Sequence, residues 1–135
     1  MALPDTIKPV FGVATAITIV LNSLANAATV LSDAINNSVT LYDEILLEIY
    51  IDGTAGAVAW LDVRISTSID GTNYSTWESA MKLPGIDLSV DLQRYTARFA
   101  APQYWKLMVK NNTGAGLAAS ANVANYQGVN MQVID

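Results

Sequence analysis

The sequence predicts an all-β fold, an antiparallel β-sandwich of jelly-roll type with a short N-terminal arm. Three observations carry this: apolar side chains that alternate with period two, a turn signal after most such runs, and the lack of a strongly amphipathic helix. An immunoglobulin-like sandwich is the competing topology. At 135 residues the chain suits one domain, expected over 10–135, with Met1–Pro9 as the arm.

Phe11, Val13, Ile17, Ile19 and Leu21 fall on alternate positions and predict a half-buried strand over 10–21. The same region imitates an export signal, with Lys8, an apolar run and Ala25-Asn26-Ala27. Thr15, Thr18, Asn22 and Ser23 interrupt that run, and Asp5 and two prolines precede it. Residues 27–35 read as a strand, although Ala27, Val30, Leu31 and Ala34 also fit a short helix.

Over 41–51, Leu41, Asp43, Ile45, Leu47, Ile49 and Ile51 oppose Tyr42, Glu44, Leu46, Glu48 and Tyr50. Over 57–69, Ala59, Leu61, Val63, Ile65, Thr67 and Ile69 oppose Trp60, Asp62, Arg64, Ser66 and Ser68. Further strands are expected over 76–83, 87–99, 104–111, 116–125 and 129–134. In 104–111 the parity of Trp105, Leu107 and Val109 puts Trp105 in the core. Turns are expected at Asp52-Gly53, Asp70-Gly71, Pro84-Gly85, Asn111-Asn112 with Gly114, and Gly128.

Charged residues make up only 14% of the chain, against about 25% in ordinary soluble domains, while 52% is hydrophobic. Uncharged Ser, Thr, Asn and Gln must cover much of the exterior, and the apolar excess points to faces covered by other subunits. The net charge of −5 and the scatter of seven basic residues provide no stripe for successive phosphates, so no direct nucleic-acid partner is expected. No stretch is long and pure enough to span a bilayer, so no membrane partner is expected.

With neither His nor Cys, Ser-His-Asp, Cys-His, thiolate-metal and His-metal mechanisms are excluded, and the chain is read as a non-enzyme without a cofactor. Carboxylate chemistry would rest on Asp43-Glu44 or on Glu44 and Glu48, which share a strand face; a solvated or intersubunit face is the preferred reading. No phosphate loop or dinucleotide fingerprint is present. Asp70 and Asn73 offer oxygen ligands for calcium, but Asx-turn chemistry explains Asp-Gly-Thr-Asn without a metal. Sequons at Asn36, Asn73 and Asn111 are expected by chance in a chain so rich in Asn, Ser and Thr.

Aromatics opposite the core faces read as interface anchors or as sugar-stacking groups. The candidate protein-contact residues are Leu3 and Ile7 on the arm, with Tyr42, Glu44, Tyr50, Trp60 and Arg64 on an outer face.

Three stretches carry a resemblance. They are Val63-Arg64-Ile65-Ser66-Thr67-Ser68-Ile69-Asp70-Gly71-Thr72-Asn73-Tyr74, then Arg94-Tyr95-Thr96-Ala97-Arg98-Phe99, then Tyr104 through Gly114. With the closing segment Ala121 through Asn130, they resemble small β-sandwich virion proteins of tailed bacteriophages over roughly the last two-thirds of the chain. Asp-Gly-Thr-Asn after an apolar strand is also similar to discoidin-like and other carbohydrate-binding sandwiches; low charge and the absence of cysteine favour the phage group.

The resemblance implies a capsid decoration or cement protein, made in the bacterial cytoplasm and placed on the capsid exterior. Its expected partners are the major capsid protein and further copies of itself, with a trimer at a three-fold position favoured. A tail, connector or fibre subunit, or a carbohydrate-binding module, is the alternative.

Overall fold

Alternation becomes architecture in a computed structural model of the chain, which describes residues 6–52, 60–87 and 92–134. The strands are β1 (Thr6–Phe11), β2 (Thr15–Ala16), β3 (Thr29–Leu31), β4 (Ile35–Asn36), β5 (Glu44–Asp52) and β6 (Trp60–Ser68). They continue with β7 (Met81–Lys82), β8 (Ile86–Asp87), β9 (Leu92–Ala100), β10 (Tyr104–Asn111) and β11 (Val123–Ile134). One 3-10 turn, Trp77–Ser79, is the single helical element among the described residues.

All pairings are antiparallel, in the orders β1-β11-β5-β9 and β3-β10-β6-β7, with β2 also on β11, β4 on β10 and β8 on β6. The short strands are broken halves of longer ones. The four-residue step from Phe11 to Thr15 opposes the three-residue step from Val129 to Tyr126, so one residue bulges out. Leu31 to Ile35 against Met108 to Trp105, and Lys82 to Ile86 against Arg64 to Leu61, repeat that surplus.

Among the described residues, joining the halves leaves eight strands that pair first with last, second with seventh, third with sixth and fourth with fifth. This is the nested connectivity of a jelly roll.

Between the sheets lie Ile45, Leu47, Ile49 and Ile51 of β5, Leu61, Val63 and Ile65 of β6, and Trp105, Leu107 and Val109 of β10, all buried. Each such side chain contributes about 1.5–3 kcal/mol through removal from water. Trp105 meets Phe99 and Tyr126 edge-on at 5.2 and 5.5 Å between ring centres, which links the two sheets.

Several expected boundaries move. Thr6–Pro9, expected within the arm, belong to β1 and pair with Met131–Ile134, whereas Leu3 and the rest of Met1–Asp5 lie outside the described residues. Proline in this strand is compatible with the ladder. Gly12 N–H donates to the Gly128 carbonyl at 2.8 Å, so the even-numbered residues of β1 face β11 and Pro9 turns its nitrogen to the free edge.

The strand expected over 10–21 is therefore β1 and β2, displaced towards the N-terminus. Residues 27–35 are β3 and β4, not a helix. The segment expected as a strand over 76–83 is the 3-10 turn followed by β7, and no strand covers 116–122. Instead β11 runs unbroken through Gly128, where a turn was expected. A Cβ on Gly128 or Gly12 would fall inside the Tyr42 ring, so both glycines serve close packing here. The Asp52-Gly53 turn and the start of the 57–69 strand lie largely outside the described residues.

Candidate functional site

The outward faces of the two sheets differ in chemistry. On the sheet containing β5, register places Glu44, Leu46, Glu48 and Tyr50 beside Ala100, Arg98, Thr96 and Arg94 of β9. Arg98 Nε lies 2.9 Å from Glu44 Oε2, and Arg94 Nε lies 3.9 Å from Glu48 Oε2. Arg94 also stands 5.9 Å from the centre of the Tyr50 ring. These exposed pairs contribute about 0–1 kcal/mol each to stability. Their larger effect is a locally neutral stripe on an acidic protein.

Beyond that stripe the face turns apolar. Directly opposed pairs share a face of the sheet, so Ile7, Pro9 and Phe11 lie with Val133, Met131 and Val129. Val129 is buried, but Ile7 is 62%, Phe11 51%, Met131 53% and Val133 54% exposed. Together they present on the order of 400–500 Å² of apolar surface, within the roughly 300–600 Å² of the largest patch on a typical monomer, a patch that is often functional. Asp43 fixes the ribbon's root: its Oδ2 accepts from Met131 N–H at 3.0 Å, and its own N–H donates to Asn130 Oδ1 at 2.9 Å.

The other outward face is crossed by its own connection. The chain after β6 folds back so that Tyr74 lies 4.3 Å from Lys106 Nζ and Trp77 lies 4.2 Å from the Arg64 guanidinium. Arg64 Nη1 donates to the Trp77 carbonyl at 2.7 Å, and Nη2 lies 3.6 Å from Asp62 Oδ2. Trp60, 54% exposed, stands at the open end of this face.

The outer-face residues expected together, Tyr42, Glu44, Tyr50, Trp60 and Arg64, therefore do not share one face, and Leu3 lies outside the described residues. Ile7, Glu44 and Tyr50 share the outward face of the first sheet, while Trp60 and Arg64 lie on the opposite side of the molecule. Arg64 is committed to holding the Tyr74–Trp77 connection. Tyr42 is only partly exposed and packs on Gly12 and Gly128 at the end of the core, because chain that is distant in sequence closes over it. Pro9, Phe11, Met131 and Val133, outside the expected set, complete the apolar face of this ribbon; the runs Ile7-Pro9-Phe11 and Met131-Val133 alternate in the sequence, but only the pairing of β1 with β11 brings them onto one face.

Other candidate chemistry resolves into local structure. Glu44 and Glu48, four residues apart on one strand, stand about 13 Å apart along the backbone, beyond the roughly 5–9.5 Å of glycosidase carboxylate pairs. Asp70 Oδ1 accepts from Ser68 O–H, Thr72 N–H and Asn73 N–H, each at 2.8 Å, and Oδ2 accepts from the Asn73 amide at 2.7 Å. These donors hold its carboxyl well below the usual range. No cluster of three acidic side chains able to hold a metal occurs among the described residues.

Asn111 is buried within its own turn, donating to the Leu24 and Ala115 carbonyls, so its sequon is structural. At the end of the core, a cavity of about 180 Å³ lies among Tyr42, Ile45, Trp105 and Tyr126. Polar groups on its rim are engaged locally: Thr15 donates to Val13, Thr40 to Asn37, and Asn37 to Tyr42.

No helix among the described residues is long and apolar enough to cross a membrane. No protein-family model matches the chain, and no curated protein matches it. Among solved structures, the Yersinia pseudotuberculosis-derived mitogen is similar over 98% of this chain and 89% of its own, with a TM-score of 0.40 and 15% identity. A likeness of that degree carries no functional argument.

Proposed function

We propose that the chain is a structural subunit of a tailed-bacteriophage virion, a capsid cement protein that seats its β1/β11 ribbon on major capsid subunits. The observation that carries the reading is the exposed apolar ribbon face, set beside a neutral ion-paired stripe on a jelly-roll body with few charges. Such a face is stable in water only as a modest patch and gains by being covered. Binding to the assembled shell and not to its dissociated subunits stabilises the shell by mass action, in proportion to occupancy. A sandwich with nested strands suits that load, since every connection between consecutive joined strands, except that from the fourth to the fifth, crosses from one sheet to the other and the two sheets are held by one shared core.

The test is co-sedimentation with undecorated capsids of the virus that carries the gene. The double variant Phe11→Asp with Met131→Lys is expected to weaken attachment by about 2 kcal/mol or more, roughly thirtyfold, as loss of interface anchors does. Both side chains are already exposed, so the fold should survive, as the circular dichroism spectrum will report. Undiminished decoration by the folded variant would overturn the reading, and selective attachment of the wild type to tails would move the subunit elsewhere in the virion.

A further inference from the structure

We propose a second site on the opposite sheet: a shelf centred on Trp60 that binds one pyranose ring of an uncharged saccharide. Trp60 opens β6 and is the one tryptophan more than half exposed. Its position is braced from beneath. A Cβ on Gly85 would lie 3.2 Å from the indole Cε3 and 3.0 Å from the Leu61 carbonyl, so a larger residue there would press on the ring and the β7–β8 link lies tightly against it.

The depression beside the ring, about 260 Å³, is lined by Trp60, Leu61, Asp62, Lys82, Gly85 and Asn112. It is smaller than the roughly 300–1,000 Å³ of clefts that enclose drug-sized ligands, which suits a single ring lying on a surface. Asp62 follows Trp60 by two residues on the same face and is steadied by Arg64, itself locked under Trp77. The Lys82 and Asn112 side chains are exposed and take part in none of the ion pairs among the described residues.

An acceptor, a cationic donor and an amide thus surround one flat apolar ring. A pyranose has the matching form: a C–H face that stacks on an indole, and a rim of hydroxyls that donate and accept. A protein anchor would instead be ringed by apolar contacts that exclude water, as the β1/β11 ribbon is and Trp60 is not. Mixed charge at the rim selects against a strongly ionic ligand. The site does not depend on the capsid reading, although a subunit seated by its ribbon leaves this face turned outward.

Proton–nitrogen correlation spectra of the full chain test it, with the Trp60 indole resonance assigned through Trp60→Phe. The methyl glycosides of glucose, galactose and N-acetylglucosamine are titrated separately. At least one is expected to shift the Trp60 resonance saturably, with a dissociation constant on the order of 1 mM. Read from the backbone amides of Leu61, Gly85 and Asn112, which line the depression and survive the substitution, Trp60→Ala should weaken that binding about tenfold or more, while Trp60→Phe retains most of it. The same resonances in the Phe11→Asp, Met131→Lys protein should respond as in wild type. The proposal is overturned if none of the three glycosides moves the Trp60 resonance, or if folded Trp60→Ala binds as wild type does. Loss of capsid attachment by Trp60→Ala without any glycoside response would make Trp60 a protein contact instead.

Discussion

Trp105 and Trp60 show how much one residue's parity decides. Trp105 shares the core parity of Leu107 and Val109 and is fully buried, whereas Trp60 has the opposite parity to Leu61 and Val63 and is more than half exposed. Both positions were legible in the sequence, because a strand's period of two needs no knowledge of its partner. Trp105→Ala is expected to cost about 3–5 kcal/mol of folding stability, measured by urea denaturation, because it leaves a cavity where two rings met. Trp105→Phe should cost less, since it also removes a buried indole N–H that has no hydrogen-bond partner among the described residues. Equal loss in Trp60→Ala would contradict the faces assigned here. Tyr42 and Arg64 were not legible in this way. What covers them, Gly12 with Gly128 and Trp77, arrives from elsewhere in the chain, and alternation along one strand is silent about chain folded across it.

Elements were legible in their middles and not at their ends. β5, β6 and β10 stand close to where alternation placed them, whereas β1 and β11 were misread because Pro9 and Gly128 look like punctuation. Their true roles, a nitrogen turned to a free edge and space for the Tyr42 ring, depend on a partner that sequence does not display. The one-residue bulges that split three strands are invisible for the same reason. Turn chemistry, by contrast, is local and was read correctly at Asp70, with Gly71 at φ 76° completing the turn. That turn should be sensitive to acid. The native carboxyl is held below its ordinary 3.8, so in acid the native state binds fewer protons than the unfolded chain. Its contribution is complete above the ordinary carboxyl range and is lost as pH falls through that value and below. The melting temperature of Asp70→Asn should lie below wild type near neutrality, with the gap closing on acidification. A gap that is constant with pH would show that the charge does not stabilise the turn.

At the scale of the whole molecule, fold class was legible because nested pairing is the solution that lets eight alternating segments bury one face each. The location of the candidate interface was not, since the ribbon joins the two ends of the chain and its apolar face exists only once β1 lies beside β11. The ribbon also sets a quantitative problem. Its apolar surface, on the order of 400–500 Å², falls short of the roughly 800 Å² per partner in stable complexes. One copy alone should therefore hold a capsid weakly. Self-association removes the difficulty, because copies held together present several ribbons at once, and each attachment after the first is intramolecular; avidity of this kind gains roughly 10²–10⁴ without new contacts. Sedimentation velocity should accordingly find the isolated protein as an oligomer at micromolar concentration. Capsid attachment should fall more steeply than simple binding on dilution through the range where the oligomer separates. A monodisperse monomer that decorates capsids tightly would refute the avidity argument, and would require a contact surface larger than the ribbon and the ion-paired stripe supply.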